Sequence, residues 1–304
     1  MTKRVLVSKN ELKSLYLKDN FVPYLHMLLR ILLLSFSFIA FYVAYNSEHY
    51  LLSWLFFIGY SFQVSFLGWS GIGHELLHGT VFKYKKINNF FLDLFSMMLW
   101  INREYHKISH KIHHVYTMKT GVDFEFNPNQ KTMSLSEFLL TFIFDINSIK
   151  RNLTNTIKNS VGTIPGDFAE KYVNHNINVK SRVVFQARKI LIFHFLLNLL
   201  GFFTGGIIYS LAFSLAPFVA TGPSRLLALS QHYKLENDVD DFSRNSRSIE
   251  IPYIIEFLYS NMNYHIEHHM YPGVPYYNLR KLHVILKSKL PQPVALADIF
   301  AWIK

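Results

Sequence analysis

Residues 50–79 read "YLLSWLFFIGYSFQVSFLGWSGIGHELLHG". Tyr50 to Ile72 contains no charged side chain, and His74 and His78 follow at once, four residues apart. A helix that crosses the hydrocarbon core of a bilayer needs about 20 consecutive apolar residues, whereas a buried helix of a soluble protein is apolar over about 10–14. The stretch therefore reads as a membrane span that delivers two histidines to one membrane face.

The rest of the chain follows the same pattern. Half of the 304 residues are hydrophobic. Leu25–Ala44, "LHMLLRILLLSFSFIAFYVA", is interrupted only by His26 and Arg30 near its start. Ile190–Pro223 is uncharged and too long for one crossing, and "FFTGGII" at 202–208 supplies glycines for a turn between two short ones. The expectation is an all-α integral membrane protein with about four transmembrane helices, near 25–45, 50–72, 190–204 and 206–228. No repeat or composition shift marks a second unit, so residues 1–304 read as one membrane-bound domain. "NNFFLDLFSMMLWI" (88–101) and "LSEFLLTFIFDI" (135–146) are apolar but short, and suit interfacial helices. "EFNPNQKT" (125–132) and "GTIPGD" (162–167) read as turn-rich connectors, and "KLENDVDDFSRNSRS" (234–248) as a charged loop.

The net charge of +11 is distributed as membrane topology predicts. Lys3, Arg4, Lys9, Lys13 and Lys18 precede the first span, while "YNSEH" (45–49) holds no Lys or Arg. Residues 73–188 carry fifteen Lys and Arg against nine Asp and Glu. Positive charge gathers on the cytoplasmic side of membrane proteins. That places 1–24, 73–189 and 229–304 in the cytoplasm, as a helical cap over the spans. The charge then reflects topology and anionic lipid, and no nucleic-acid-binding motif stands out. The chain has no cysteine, which excludes disulfides, thiolate metal sites, iron–sulfur clusters and a cysteine nucleophile. The first apolar block starts too far from Met1, without a small-residue cleavage site, to read as a signal peptide.

Ten of fifteen histidines fall in four places on the expected cytoplasmic side. "GHELLHG" holds His74 and His78. "YHKISHKIHHVY" holds His106, His110, His113 and His114. "LSQHYK" holds His232, and "NYHIEHHMYP" (263–272) holds His265, His268 and His269. Residues at i, i+3 and i+4 share a helix face, so His74 and His78 are expected to project together, as are His110 with His113 and His114, and His265 with His268 and His269, and a single helix can present two or three imidazoles to one metal this way. Neutral imidazole suits iron, zinc, copper and nickel. His26, His49, His175, His194 and His283 stand alone and read as ordinary surface or core residues, as does His106, one turn before a complete triplet.

"HELLH" also matches the H-E-x-x-H motif of zinc proteases, where the glutamate is the general base. Such a zinc takes one further protein ligand, which would leave at least six clustered histidines unused. Glu75 reads better as a carboxylate that orients an imidazole.

Together, His74–His78, His110–His113–His114 and His265–His268–His269 resemble the three histidine boxes of the membrane-bound fatty acid desaturase and hydroxylase superfamily. Their order relative to the apolar blocks matches as well, and "NYHIEHHMYPGVPYYNL" resembles the family's last box and its flank. The resemblance covers roughly residues 60–285. It implies two non-haem irons held by these eight histidines and by His232, which stands where the family places a further ligand after the last span. It implies O2 as co-substrate and oxidation of an unactivated C–H bond in a lipid acyl chain. Desaturation is the favoured outcome, and hydroxylation of a lipid or other apolar substrate is the alternative. No catalytic side chain beyond the metal ligands is implied. Glu75, Asp123, Glu125 and Glu267 are the carboxylates nearest in sequence to the expected ligands. The chain shows no dinucleotide fingerprint and no fused haem domain, so a separate carrier of the ferredoxin or cytochrome b5 type, with its reductase, is expected to bring electrons. No retrieval signal is evident, which favours a bacterial inner membrane.

Overall fold

The computed structural model describes residues 6–125, 127 and 131–303. Lys3 and Arg4 of the basic arm, and four of the eight residues of the 125–132 connector, lie outside the described residues. The architecture is all-α, and the one sheet among the described residues is a pair of two-residue parallel strands, β1 (Ile249–Glu250) and β2 (Val294–Ala295).

Helix α1 (Lys9–Leu15) opens on a capping box between Ser8 and Glu11. Helices α2 (Val22–Asn46) and α3 (Tyr50–Ser65) then form an antiparallel hairpin. Phe41, Phe57 and Tyr60 pack between them, while Leu32, Phe36, Leu51 and Leu55 are left exposed. A row of exposed aliphatic and aromatic side chains this long suits contact with lipid rather than water. Two further helices are long and apolar enough to cross a membrane: α10 (Ile177–Phe203), and the run from α11 (Ile207–Leu215) through a 3₁₀ turn to α12 (Gly222–Ser230).

Among the described residues three elements are therefore of spanning length, α2 being the first, where four crossings were expected. The difference lies in the 50–72 stretch, where α3 is only 16 residues long. Beyond Ser65 the chain folds back on itself through Phe66–Gly71, with the N–H groups of Ile72 and His74 bonded to the carbonyls of Phe66 and Gly68. Glycine is obligatory in that turn. A Cβ on Gly71 would sit 2.0 Å from the Phe66 carbonyl oxygen, and one on Gly73 would sit 2.5 Å from that of Leu67. The expected boundary at Ile190 also shifts, because α10 begins thirteen residues earlier, at Asn176-capped Ile177. Lys180, Arg182, Arg188 and Lys189 are good helix formers and extend the span outward. Near 206–228, Pro217 and Pro223 divide the last block into α11 and α12.

The remaining helices lie beside the spans and carry the site. They are α4 (Ile72–His78), α5 (Lys85–Met98), α6 (Arg103–Val115), α7 (Leu135–Leu140), α8 (Ile146–Ser160), α9 (Asp167–Ala169), α13 (Phe242–Asn245), α14 (Tyr253–Tyr259), α15 (His265–Met270), α16 (Tyr276–Leu286) and α17 (Leu296–Phe300). Span α2 reaches into this layer. The buried Arg30 guanidinium donates to the carbonyl of Leu258 at 3.0 Å, to Ser260 Oγ at 2.9 Å and to the carbonyl of Phe257, at the end of α14. An Arg buried in a span is costly unless its donors are used. Here they fix the segment that leads into α15.

Candidate metal centre

Helix α4 ends at Gly79 in the left-handed conformation (φ 69°), so its last turn presents both His74 and His78. Helix α6 starts on Asn102, whose side chain accepts from the N–H of Tyr105, and buries Ser109, His110 and His113 while Lys107 and Lys111 face out. Helix α15 is six residues long and buries all five from His265 to His269. Its entrance is held by the pairing of Ile249 with Asn263.

All nine expected ligands meet, but in two groups. His74, His78, His110, His114 and His268 form one, and His113, His232, His265 and His269 form the other, with the ligand atoms of each within 4.8 Å of one another. Neither triplet serves a single point, contrary to the expectation from shared faces. At 3.6 residues per turn, positions i and i+4 diverge by about 40°, whereas i+3 lies about 60° to the other side. So His110 and His114 turn to the first group and His113 to the second. On α15 the assignment is reversed: His265 and His269 join the second group and His268 joins the first.

The outer nitrogens show why these rings point inward. His110 Nδ1 lies 3.2 Å from Glu125 Oε2, His113 Nδ1 lies 2.8 Å from Asp123 Oδ2, and His232 Nδ1 lies 2.7 Å from the Asn245 carbonyl. Thr117 gives its proton to the His113 carbonyl at 2.7 Å and can accept from His269 Nδ1 at 3.1 Å. His268 Nδ1 lies 3.2 Å from Glu75 Oε1, at ion-pair distance but off line for a hydrogen bond. Acceptors at Nδ1 keep the proton there and leave Nε2 as a bare lone pair aimed inward.

Bare lone pairs cannot bond to one another, yet they crowd. In the first group Nε2 of His110 lies 3.0 Å from those of His74, His78 and His114, and His74 lies 3.0 Å from His268. In the second, His265 Nε2 lies 3.0 Å from those of His232 and His269. A cation at the centre resolves this. With metal–imidazole bonds of about 2.1 Å, ligands at right angles stand about 3.0 Å apart, and tetrahedral ligands about 3.4 Å. These edges, with 3.2 Å between His268 and His114, are of the size expected for imidazoles that share one ion.

The electrostatics favour neutral rings. Burial, followed by the neighbouring imidazoles, pushes His74, His110, His114, His265 and His269 well below the usual histidine range. It drives His78, His232 and His268 down to about 3. For His113 burial acts the same way, but the Asp123 hydrogen bond and the charges of Glu125 and Asp123 outweigh it and raise this ring. Burial lifts Glu75 and Glu125 to about 7. Burial also opposes charge on Asp123, but His113 and the N–H groups of Met118 and Glu125 hold it below the ordinary carboxylate range.

Three of the four expected carboxylates thus face ligand rings. Glu267 does not. It turns away from both groups, toward His283 Nδ1 at 2.5 Å and the hydroxyl of Ser248 at 2.7 Å. Thr117 and Asn245 were not foreseen, and Asn245 acts through its main-chain carbonyl, which no residue type advertises. His106 joins neither group and lies against Trp69, 4.8 Å between ring centroids, which in turn touches His110. A cavity of about 990 Å³ reaches the site, with Trp69, His106, His113, Glu125 and His232 in its wall. Among the histidines that could hold a metal, His113 and His232 line it, and both belong to the second group.

The family model described as fatty acid desaturase matches residues 48–299. No curated protein matches the chain.

Proposed function

The chain belongs to the fatty acid desaturase family, and from that premise we propose that it desaturates an acyl chain of a membrane lipid at a two-iron centre. One observation carries this reading. Nine histidines, six of them buried and three half-buried, form adjoining sets of five and four, and the smaller set opens on a cavity large enough for an acyl lipid. His74, His78, His110, His114 and His268 would hold one ion, and His113, His232, His265 and His269 the other. The bound irons would supply O2 reduction coupled to removal of hydrogen from adjacent methylenes.

The chain's own residues do the rest. Glu75, Glu125, Asp123, Thr117 and the Asn245 carbonyl orient the rings through their outer nitrogens. Residues of the cavity wall hold the acyl chain beside His113 and His232. Reduction of O2 to water takes four electrons, two of which leave the substrate as its C–C bond becomes a double bond. The other two come from a separate carrier docking on the basic face, which we place in the cytoplasm by its charge.

Expression in a host lacking unsaturated lipids, followed by lipid mass spectrometry, tests the reaction. Products short of two hydrogens are expected, whereas products with one added oxygen would identify a hydroxylase. Metal analysis of the purified protein should give two irons per chain. One zinc, with no lipid product, would favour the protease reading of "HELLH".

A further inference from the structure

A second, much smaller cavity, of about 20 Å³, lies where the 66–71 turn, α4, α5 and the start of α6 meet. Leu67, Leu77, Leu92, Phe95, Leu99 and Ile101 make most of its wall, with three polar residues, Ser96, Arg103 and His106. Arg103 is turned to Asp93, Glu104 and the Asn89 carbonyl. That leaves Ser96 and His106, whose Nδ1 has no hydrogen-bond partner among the described residues, to offer a polar atom to a guest. A buried water typically makes about three hydrogen bonds, so this wall holds one poorly, and cavities lined by apolar side chains stay dry and take apolar guests instead. One water-sized guest needs about 10–15 Å³. The chamber therefore has room for one diatomic molecule.

Its position indicates which. Gly73, in its wall, is joined directly to His74. Trp69, also in the wall, has its ring centroid 5.7 Å from that of His74 and 4.8 Å from that of His110. Both histidines belong to the five-histidine group. Gly68, Trp69, Leu99, Ile101 and His106 line this chamber and the large cavity alike, so the one is a side chamber of the other. A reaction that consumes O2 beside an acyl chain needs both close to the same histidines, yet the two cannot fill the same space.

We propose that this side chamber holds O2 beside the five-histidine group while the acyl chain occupies the large cavity beside His113 and His232. This rests on the oxygen-dependent reading above. It adds a site for the gas that the lipid does not fill.

The test uses Leu92, which is buried and lines the small chamber but not the large cavity. Leu92→Phe adds about the chamber's volume, whereas Leu92→Ala enlarges it. Crystals of the iron-loaded protein pressurised with krypton, an apolar atom about as wide as O2 that scatters anomalously, should show it in the chamber of the wild type and of Leu92→Ala, and not in that of Leu92→Phe. In turnover, Leu92→Phe should raise the KM for O2 about fivefold, with kcat at saturating O2 and the KM for lipid unchanged. Leu92→Ala leaves a larger cavity and should lower the melting temperature further, yet keep the wild-type KM for O2, which separates loss of the gas site from loss of stability. Water rather than krypton in the wild-type chamber, an unchanged KM for O2 in Leu92→Phe, or an equal rise in both variants would overturn the proposal. A chamber that takes krypton in a protein that oxidises no lipid would leave the gas site standing and sink the desaturase reading instead.

Discussion

The two histidine groups are built from the same helices but are not equivalent. The five-histidine group takes a pair from α4, a pair from α6 and a single ring from α15. The four-histidine group takes a pair from α15, a single ring from α6, and in place of a second pair only His232. The smaller group is also the one with rings in the cavity wall. Catalytic metal sites keep an open position where closed structural ones do not. On the proposed reading, the larger group would hold its ion and the smaller, which meets the cavity with one ligand fewer, would be the one to react.

The largest effects should come from rings that break this division. Removing His113 or His268, the member of each triplet that crosses to the other group, should reduce activity to background and lower bound iron by at least half. Paired substitutions sharpen the comparison. His232→Ala leaves three ligands and should empty its site, whereas His78→Ala leaves four and should retain more metal. Metal analysis of both variants decides this. Equal losses would show that the groups do not differ in the way their ligand counts imply.

Gly73→Ala should come next. Its methyl would press on the main chain of Leu67 and Gly68, at 2.5 and 2.8 Å, where backbone cannot yield as a side chain does. Overpacking of this kind costs about 1–3 kcal/mol, and it would also displace His74, the next residue. A lower melting temperature is expected together with loss of iron from the five-histidine group first.

Much of this was legible in the sequence, for a physical reason. Histidines repeated at helical spacing, placed where apolar blocks end, carry the site in their residue type and position. His232, a single histidine, was readable as a ligand only through the family resemblance, which places a further one after the last span. The split of each triplet between two ions also follows from helix geometry, but only once two destinations exist, and a single helix does not reveal that. The end of α3 was not legible, because Phe66 and Leu67 are as apolar as the span before them and only the close approach of Gly71 and Gly73 turns the chain. The reach of α10 was hidden by the opposite signal, since its first residues are charged but helical. Contacts made by main-chain atoms, such as the Asn245 carbonyl on His232, leave no trace in residue type.

The orienting groups test the comparison more gently. Asp123→Asn and Glu125→Gln each leave a ligand ring without its carboxylate, and losses of partners of this kind typically cost about 10–100-fold in metal affinity or activity. Asp123 serves the four-histidine group and Glu125 the five, so iron titration of the two variants should weaken different sites. Thr117→Val removes a neutral acceptor from His269 and should cost less, about 1 kcal/mol of local stabilisation.

Glu267→Gln should have the smallest effect on catalysis, although it lies in the middle of a box. Sequence places Glu267 as close to the ligands as Glu75 is, between His265 and His268, yet its carboxylate points to His283 and Ser248 rather than to either group. On a helix, residue 267 lies about 160° from His269 and about 100° from His268, so it leaves the face that those rings share. Its role is to tie α15 to α16 and to the segment ahead of β1. A glutamine retains the size and most of the hydrogen bonding, so the variant should unfold at a slightly lower temperature while iron content and turnover stay near wild type. Glu125→Gln, an identical chemical change, should do the reverse and spare stability more than activity. If Glu267→Gln lost activity as steeply as Glu125→Gln, the carboxylate would have to act on the ligands in a way its orientation does not provide, and the distinction between carboxylates that face the rings and carboxylates that merely neighbour them in sequence would fail.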